Sequence, residues 1–262
     1  MCGVFGFALR RPLSMVKVFG VLQKLEVHKY QEEPRPVGGY GAGIAYLKDD
    51  GSIMLEKVGA VPDSPAKRLS EIVQVNDASV LVGHVRMPSP KFMQSAKFRE
   101  TTQPFLGTCS PDLTVVSAHN GKVANYEAIR KRLDGSHFLE SEKKVELIDS
   151  EVIPHFFEDL LKQRETVKDA VDALFSGIEG SNTISLLQVE RERMLLHFVH
   201  KGKTRGLTVW TNRQNEVIFS SRKEPLMNEF KEIFEQGEFK ETISIPYSKD
   251  ESVKASLALK TK

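Results

Sequence analysis

Residues 42–58, Ala42-Gly43-Ile44-Ala45-Tyr46-Leu47-Lys48-Asp49-Asp50-Gly51-Ser52-Ile53-Met54-Leu55-Glu56-Lys57-Val58, decide how this chain can fold. Two apolar runs, Ala42–Leu47 and Ile53–Val58, flank Asp49-Asp50-Gly51-Ser52, a turn in which Gly51 supplies a positive φ at low cost. A hairpin pairs antiparallel neighbours directly and needs no crossover helix. The remaining strand and helix signals alternate irregularly around it, so the pattern predicts an α+β or layered fold rather than a strict βαβ series.

Working outward towards the N-terminus, Gly3–Leu9 reads as a strand, and Ser14 caps a helix to about His28, with Val18, Leu22 and Leu25 at helical spacing. Gln31–Gly39, rich in proline and charge, is a loop. Downstream, Ser64-Pro65 supplies the N-cap and first residue of a helix to Gln74, and Ser79–His84 reads as a buried strand. Met87–Gly107 has no clean period and reads as a long loop. Leu113–Ala118 is a strand, Tyr126–Leu133 a helix, and Asp149–Lys162 a helix with an apolar stripe at Val152, Phe156, Phe157 and Leu160. Thr166 to Asp169 resembles a capping box opening a helix to Phe175. Strands follow at Thr183–Val189, Met194–Val199, Leu207–Thr211 and Val217–Ser220, then a helix at Leu226–Phe234. From Gly237 the chain is polar, and Ser248–Lys262 reads as a frayed or partner-binding tail. No linker separates two cores, so the expectation is a single domain over 1–262, with 237–262 a polar C-terminal extension.

Composition narrows the classes of function. The 262 residues carry 37 Lys+Arg against 35 Asp+Glu, a net charge of +2, and 40% are hydrophobic. Such a chain can bury a sizeable core, and its balanced charge argues against a dedicated nucleic-acid binder. The longest basic cluster, Lys201-Gly202-Lys203-Thr204-Arg205, reads as a solvated turn. No run reaches the roughly 18 to 20 apolar residues of a membrane span. Arg10-Arg11 follow rather than precede the apolar segment Val4–Leu9, the wrong order for a secretory signal, so a cytoplasmic protein is expected. The two cysteines, Cys2 and Cys109, form no disulfide framework.

Four places can carry chemistry. Removal of Met1 would leave Cys2 with a thiol and an α-amine whose ordinary pKa is about 7.7 to 8.0, a nucleophile with its own base. Alone, however, a cysteine at position 2 is ordinarily incidental. At the end of the strand from Val115, Asn120 and Gly121 could offer a side-chain amide and a backbone N–H to one oxyanion, or simply form a tight Asn-Gly turn. Arg86 ends a buried strand, where it could bind a carboxylate bidentately or form a structural salt bridge. Asp149 stands where a helix should begin, the position of an N-cap, and could also accept a hydrogen bond from an ammonium. Together they supply a thiol, a carboxylate clamp, oxyanion donors and an ammonium acceptor, the parts needed to hold an α-amino acid and cleave its side-chain amide.

These residues lie in blocks that resemble the glutaminase domain of class II glutamine amidotransferases, among the N-terminal-nucleophile hydrolases. The blocks are Met1-Cys2-Gly3-Val4-Phe5-Gly6, Gly41-Ala42-Gly43-Ile44-Ala45, His84-Val85-Arg86, Gln103-Pro104-Phe105, His119-Asn120-Gly121-Lys122-Val123-Ala124-Asn125-Tyr126 and Asp149-Ser150-Glu151, with Ser220-Ser221-Arg222 resembling the closing strand. The resemblance implies a four-layer α/β/β/α sandwich of two antiparallel sheets. It implies Cys2 as nucleophile, Asn120 and Gly121 as oxyanion donors, Arg86 on the substrate α-carboxylate and Asp149 on its α-ammonium, with Ser89 and His119 also in the substrate-binding set. The expected function is glutamine hydrolysis to glutamate and ammonia through a Cys2 thioester, in a stand-alone subunit that passes ammonia to a separately encoded synthase. No cofactor, nucleic acid or membrane is implied, and a homo-oligomer is compatible. The chain departs from the family's usual pattern at Val37-Gly38-Gly39-Tyr40-Gly41, at Met87-Pro88-Ser89, where Ser89 stands for a threonine hydroxyl, and at Thr101 or Thr102, which replaces an asparagine. The competing readings are a regulatory glutamine-binding domain without turnover and an amidohydrolase for another γ-glutamyl amide. His197 and His200, three apart in a strand, point to opposite faces, and no metal is expected.

Overall fold

A computed structural model describes residues 2–145, 147–191 and 193–259. Met1, and with it any reading of its removal, lies outside the described residues, as do the last three of the C-terminal extension. The chain forms two compact units, one from residues up to Pro104 together with Arg205–Tyr247, the other from Phe105–Thr204 together with residues from Ser248.

The first unit is built on a seven-stranded sheet with order β11-β9-β10-β1-β4-β2-β3, from β1 Gly3–Ser14, β2 Gly41–Leu47, β3 Ile53–Gly59, β4 Asp77–Val85, β9 Leu207–Thr211, β10 Val217–Ser220 and β11 Lys240–Ile245. Every pairing is antiparallel. The opening hairpin forms as read, with Ala42 opposite Val58 and Leu47 opposite Ile53. α1 Met15–Val27 begins where Ser14 accepts the Val16 N–H, and α2 Pro65–Ile72 where Ser64 accepts that of Lys67. Val18, Leu22 and Leu25 of α1 are fully buried in one core with Phe5, Phe7, Ile44 and Trp210. Each large apolar side chain so buried contributes about 1.5–3 kcal/mol. The C-terminal helical signal resolves into α6 Lys223–Glu229 and α7 Lys231–Gly237.

The second unit carries a five-stranded antiparallel sheet, order β12-β8-β7-β6-β5, from β5 Phe105–Gly107, β6 Leu113–Gly121, β7 Asn182–Glu190, β8 Arg193–Lys203 and β12 Asp250–Leu259. α3 Tyr126–Arg132, α4 Val152–Gln163 and α5 Val167–Gly177 belong to it. Phe157 and Leu160 of α4 and Leu174 of α5 share a core with Val115, Ile184 and Val199. The Thr166 cap of α5 is as read, accepting the Asp169 N–H at 3.1 Å.

Four expectations are corrected. The polar extension 237–262 contains two edge strands, Lys240–Ile245 and Asp250–Leu259, so its described part from Ser248 is not a frayed tail. β12 pairs with β8 over ten positions, and backbone pairing of that kind is independent of side-chain polarity. The long loop 87–107 contains three 3-10 turns and ends in β5. Asp149 is no helix cap, because a 3-10 turn over Asp149–Glu151 precedes α4. The basic cluster is solvated only in part: Lys203 is exposed, but Thr204 and Arg205 are buried. The fold is therefore α+β with two antiparallel sheets, and no helix among the described residues is long and apolar enough to cross a membrane.

Candidate active site

In the first unit, β1 and β4 pair Gly3 with Val85, which carries the residues just beyond that rung, Cys2 and Arg86, to the same end of the sheet. The half-buried Cys2 thiol donates to the Met87 carbonyl at 3.6 Å and accepts the Met87 N–H at 3.4 Å. Arg86 is buried; its backbone N–H bonds the Gly41 carbonyl at 2.8 Å, and its guanidinium donates to Thr101 Oγ1 and, at 3.0 Å, to Ser95 Oγ. Two hydroxyl partners fix the plane of the guanidinium, as bidentate recognition of a carboxylate requires. Ser89 lies three residues further on and is exposed.

Sequence reasoning missed a buried charged group in the same unit. Glu33 pairs with both Arg205, at 3.4 Å, and Arg222, while Arg222 also donates to the Arg205 carbonyl at 2.9 Å and stacks over Tyr30. Burial pushes the Arg205 pKa down, and its neighbours include the charged Glu33 and Arg222 as well as the Cys2 thiol. The sequence signals were the basic cluster, in which nothing marks Arg205 as the member that turns inward, and the Ser220-Ser221-Arg222 block, in which nothing points Arg222 to Glu33.

In the second unit, the His119-Asn120-Gly121 motif forms the last three residues of β6 rather than a turn after it, with Asn120 opposite Thr183 and Gly121 opposite Asn182. Gly121 has φ +152, and a Cβ there would collide with the Ser181 carbonyl oxygen, so only glycine fits. Ser150 Oγ lies 2.8 Å from His119 Nδ1, and His119 Nε2 2.8 Å from Asn182 Oδ1. The network assigns the proton to Nε2, which donates to the amide oxygen while Nδ1 accepts from the hydroxyl. Burial pushes the His119 pKa down, in keeping with a neutral ring. Asp149 is buried, accepts the Val123 N–H at 3.2 Å through Oδ2, and has Ser150 Oγ 3.4 Å from Oδ1. His119, Ser150 and Asp149 thus form one connected group, with Asn120 the next residue of the strand.

His197 and His200 have separate partners. His197 bonds Ser256 and Gln188, and burial lowers its pKa to about 4; His200 bonds Thr183.

A family model described as a glutamine amidotransferase domain matches residues 93–228, more than half of the chain. Among curated proteins, the glutamine–fructose-6-phosphate aminotransferase (isomerizing) of Bacillus thuringiensis subsp. konkukian is 29% identical over 208 residues, 78% of this chain and 29% of its own length. The protein of that name from Halobacterium salinarum is 29% identical over 187 residues, 71% of this chain and 26% of its own. The chain therefore spans under a third of these relatives. Among solved structures, an allosteric regulatory enzyme of purine biosynthesis superposes with a TM-score of 0.61 at 17% identity, covering 94% of this chain and 45% of that one. The glutamine phosphoribosylpyrophosphate amidotransferase of B. subtilis gives 0.59 at 17%, covering 97% and 49%. At such identities they bear on fold alone, which is that of the N-terminal-nucleophile amidotransferases. The family match and the fold agree: this chain belongs to the glutamine amidotransferase domain family, in its class II form.

Proposed function

We propose that the chain hydrolyses glutamine with Cys2 as the nucleophile. The observation that carries this reading is the Cys2 thiol held by both backbone groups of Met87, next in sequence to the buried, hydroxyl-braced Arg86. Arg205 as well as Arg86 supplies positive charge in this unit.

In the proposed reaction the Cys2 sulfur attacks the substrate carboxamide carbon, and the negative charge formed on its oxygen is held by the Asn120 amide and the Gly121 N–H. The Cys2 α-amine, exposed by loss of Met1, carries the sulfur's proton to the departing nitrogen, which leaves as ammonia. Water then attacks the thioester carbonyl, the amine takes the water's proton and passes it to the departing sulfur, and glutamate leaves with the thiol restored. Arg86 binds the α-carboxylate and Asp149 the α-ammonium. Ser89 supplies a hydroxyl at the pocket, and His119 contributes by orienting Ser150 beside Asp149. The ammonia serves a synthase module outside these residues, a separately encoded subunit in our reading; support for a module beyond them comes from relatives more than twice as long, named for aminotransferase reactions.

The test is glutamine hydrolysis by the wild type and Cys2→Ala, with intact-mass measurement of the N-terminus. Loss of Met1 and turnover abolished in Cys2→Ala are expected. A retained Met1 with glutamine binding but no turnover would replace this reading by the regulatory one, and activity in Cys2→Ala would eliminate the mechanism.

A further inference from the structure

The buried face of α4 contains more than the apolar stripe its sequence predicts. His155 and Glu158, one turn apart and so on the same side of the helix, are both buried. Around them stand Cys109, in the segment between β5 and β6, and the buried His137, in the loop after α3. One potential ligand atom from each, Cys109 Sγ, His137 Nδ1, His155 Nδ1 and a Glu158 oxygen, all lie within 4.8 Å of one another.

The separations are those of a coordination shell. Ligands about 2.0–2.3 Å from a zinc ion at tetrahedral angles stand about 3.3–3.6 Å from each other. Here His137 Nδ1 and His155 Nδ1 are 3.3 Å apart, and Cys109 Sγ is 3.6 Å from His155 Nδ1. Glu158 Oε2 is 3.3 Å from His155 Nδ1 and 3.6 Å from His137 Nδ1.

The surrounding hydrogen bonds orient these atoms. His137 Nε2 lies 2.8 Å from Asp159 Oδ1, so its proton belongs on that nitrogen and its Nδ1 lone pair faces the cluster. A ligating imidazole that donates its other N–H to a carboxylate is a common outer-shell arrangement. The second Glu158 oxygen, Oε1, accepts the N–H groups of Cys109 and Ser110 at 2.8 and 3.1 Å, leaving Oε2 for the centre. His155 Nε2 is buried with no hydrogen-bond partner among the described residues, so the polar contacts of this ring among them are all at Nδ1. Without an ion, only the Cys109 thiol proton and a proton on His155 Nδ1 stand among four converging heteroatoms, the Cys109 sulfur, the His137 and His155 Nδ1 atoms and Glu158 Oε2. One cation satisfies all of them. Gly107 leaves the carboxylate room, since a Cβ there would stand 2.6 Å from Glu158 Oε2.

We propose that Cys109, His137, His155 and Glu158 bind a divalent transition-metal ion of the zinc class in a closed, structural site. One sulfur, two imidazole nitrogens and one carboxylate oxygen match zinc, and four protein ligands leave no open position for substrate water. The cysteine enters as thiolate, releasing its proton to solvent. The ion ties the β5–β6 segment and the loop after α3 to α4, the helix that follows the Asp149 turn. Its existence does not depend on glutamine hydrolysis.

The test uses the full chain, expressed with zinc in the medium and assayed by elemental mass spectrometry. We expect one zinc per chain in the wild type and in Cys2→Ala, and a small fraction of that in Cys109→Ser. Asp159→Asn keeps all four ligands and should weaken zinc binding about 10- to 100-fold in competition with a chromophoric chelator; it provides the test if Cys109→Ser fails to fold. Cobalt added to the metal-stripped chain should give the intense visible bands of tetrahedral coordination and a near-ultraviolet thiolate charge-transfer band, both retained in Cys2→Ala. Wild type without stoichiometric metal, cobalt in an octahedral environment without the thiolate band, or equal uptake by Asp159→Asn and wild type would overturn the proposal in favour of a metal-free His155–Glu158 ion pair or adventitious surface binding.

Discussion

The two cysteines are chemically the same group in two different settings. Cys2 is half-buried at the end of the central strand β1, contacted at sulfur by the Met87 backbone, with the arginine side chain of position 205 among its charged neighbours. Cys109 is also half-buried, but its sulfur faces the His155 imidazole and a cluster containing a second histidine and a carboxylate. Positively charged neighbours suit the proposed nucleophile, whereas converging lone pairs suit a sulfur as one ligand of a cation. What a cysteine can do here is set by the lone pairs and charges that share its few ångströms, and exposure does not separate the two.

Substitutions on either side can break that distinction. The largest expected effect is on turnover: Asn120→Ala should lower kcat for glutamine hydrolysis about 10²- to 10³-fold, roughly 2.7–4 kcal/mol, with little change in KM. Its zinc content, measured on the same sample, should stay at the wild-type level. Next, Arg86→Lys keeps the charge but loses the planar fork braced by Thr101 and Ser95. Charge-assisted hydrogen bonds of about 1.5–3 kcal/mol are at stake, so kcat/KM should fall about 10- to 100-fold, mainly through KM in steady-state assays.

A histidine outside the metal cluster gives a smaller, pH-dependent effect. Burial lowers His197 from 6.5 to about 4, so the unfolded chain takes up a proton at a higher pH than the folded chain. The stability this neutral ring contributes is present above 6.5 and is lost as pH falls towards 4, amounting to roughly 2 kcal/mol at pH 5. Denaturation midpoints between those limits should therefore depend less on pH in His197→Gln than in the wild type, with metal content unchanged. The smallest change expected is for Thr166→Ala, which removes the cap of α5 at a cost of about 1 kcal/mol and should lower Tm by about 2–4 °C in calorimetry. Neither turnover nor zinc content should respond.

Much of the fold was legible because its signals are local. The Asp-Gly hairpin, the Ser14, Ser64 and Thr166 caps and the buried strands each declare themselves within a few residues. The edge strands β11 and β12 did not, because partners on β9 and β8 supply their pairing and their own side chains are largely polar and exposed. Cys2, Arg86, Asn120, Gly121 and Asp149 were legible as chemical types within blocks resembling a family, but their local roles were less so. Asp149 accepts the Val123 N–H rather than capping a helix, and Asn120 and Gly121 lie within a strand rather than in a turn. The Glu33–Arg205–Arg222 group and the Cys109 cluster were not legible, because each assembles residues from segments distant in sequence. Only the i,i+3 pair His155 and Glu158 lies close together, and an apolar stripe conceals it.

The most direct measurement is covalent labelling with a glutamine analogue carrying an electrophile at the side-chain carbonyl position, followed by peptide mass mapping. The account predicts one adduct per chain, on Cys2, formed in step with loss of hydrolysis and suppressed by glutamine. A chain that hydrolyses glutamine while Cys2 stays unmodified, or one inactivated by an adduct on Cys109, would contradict it.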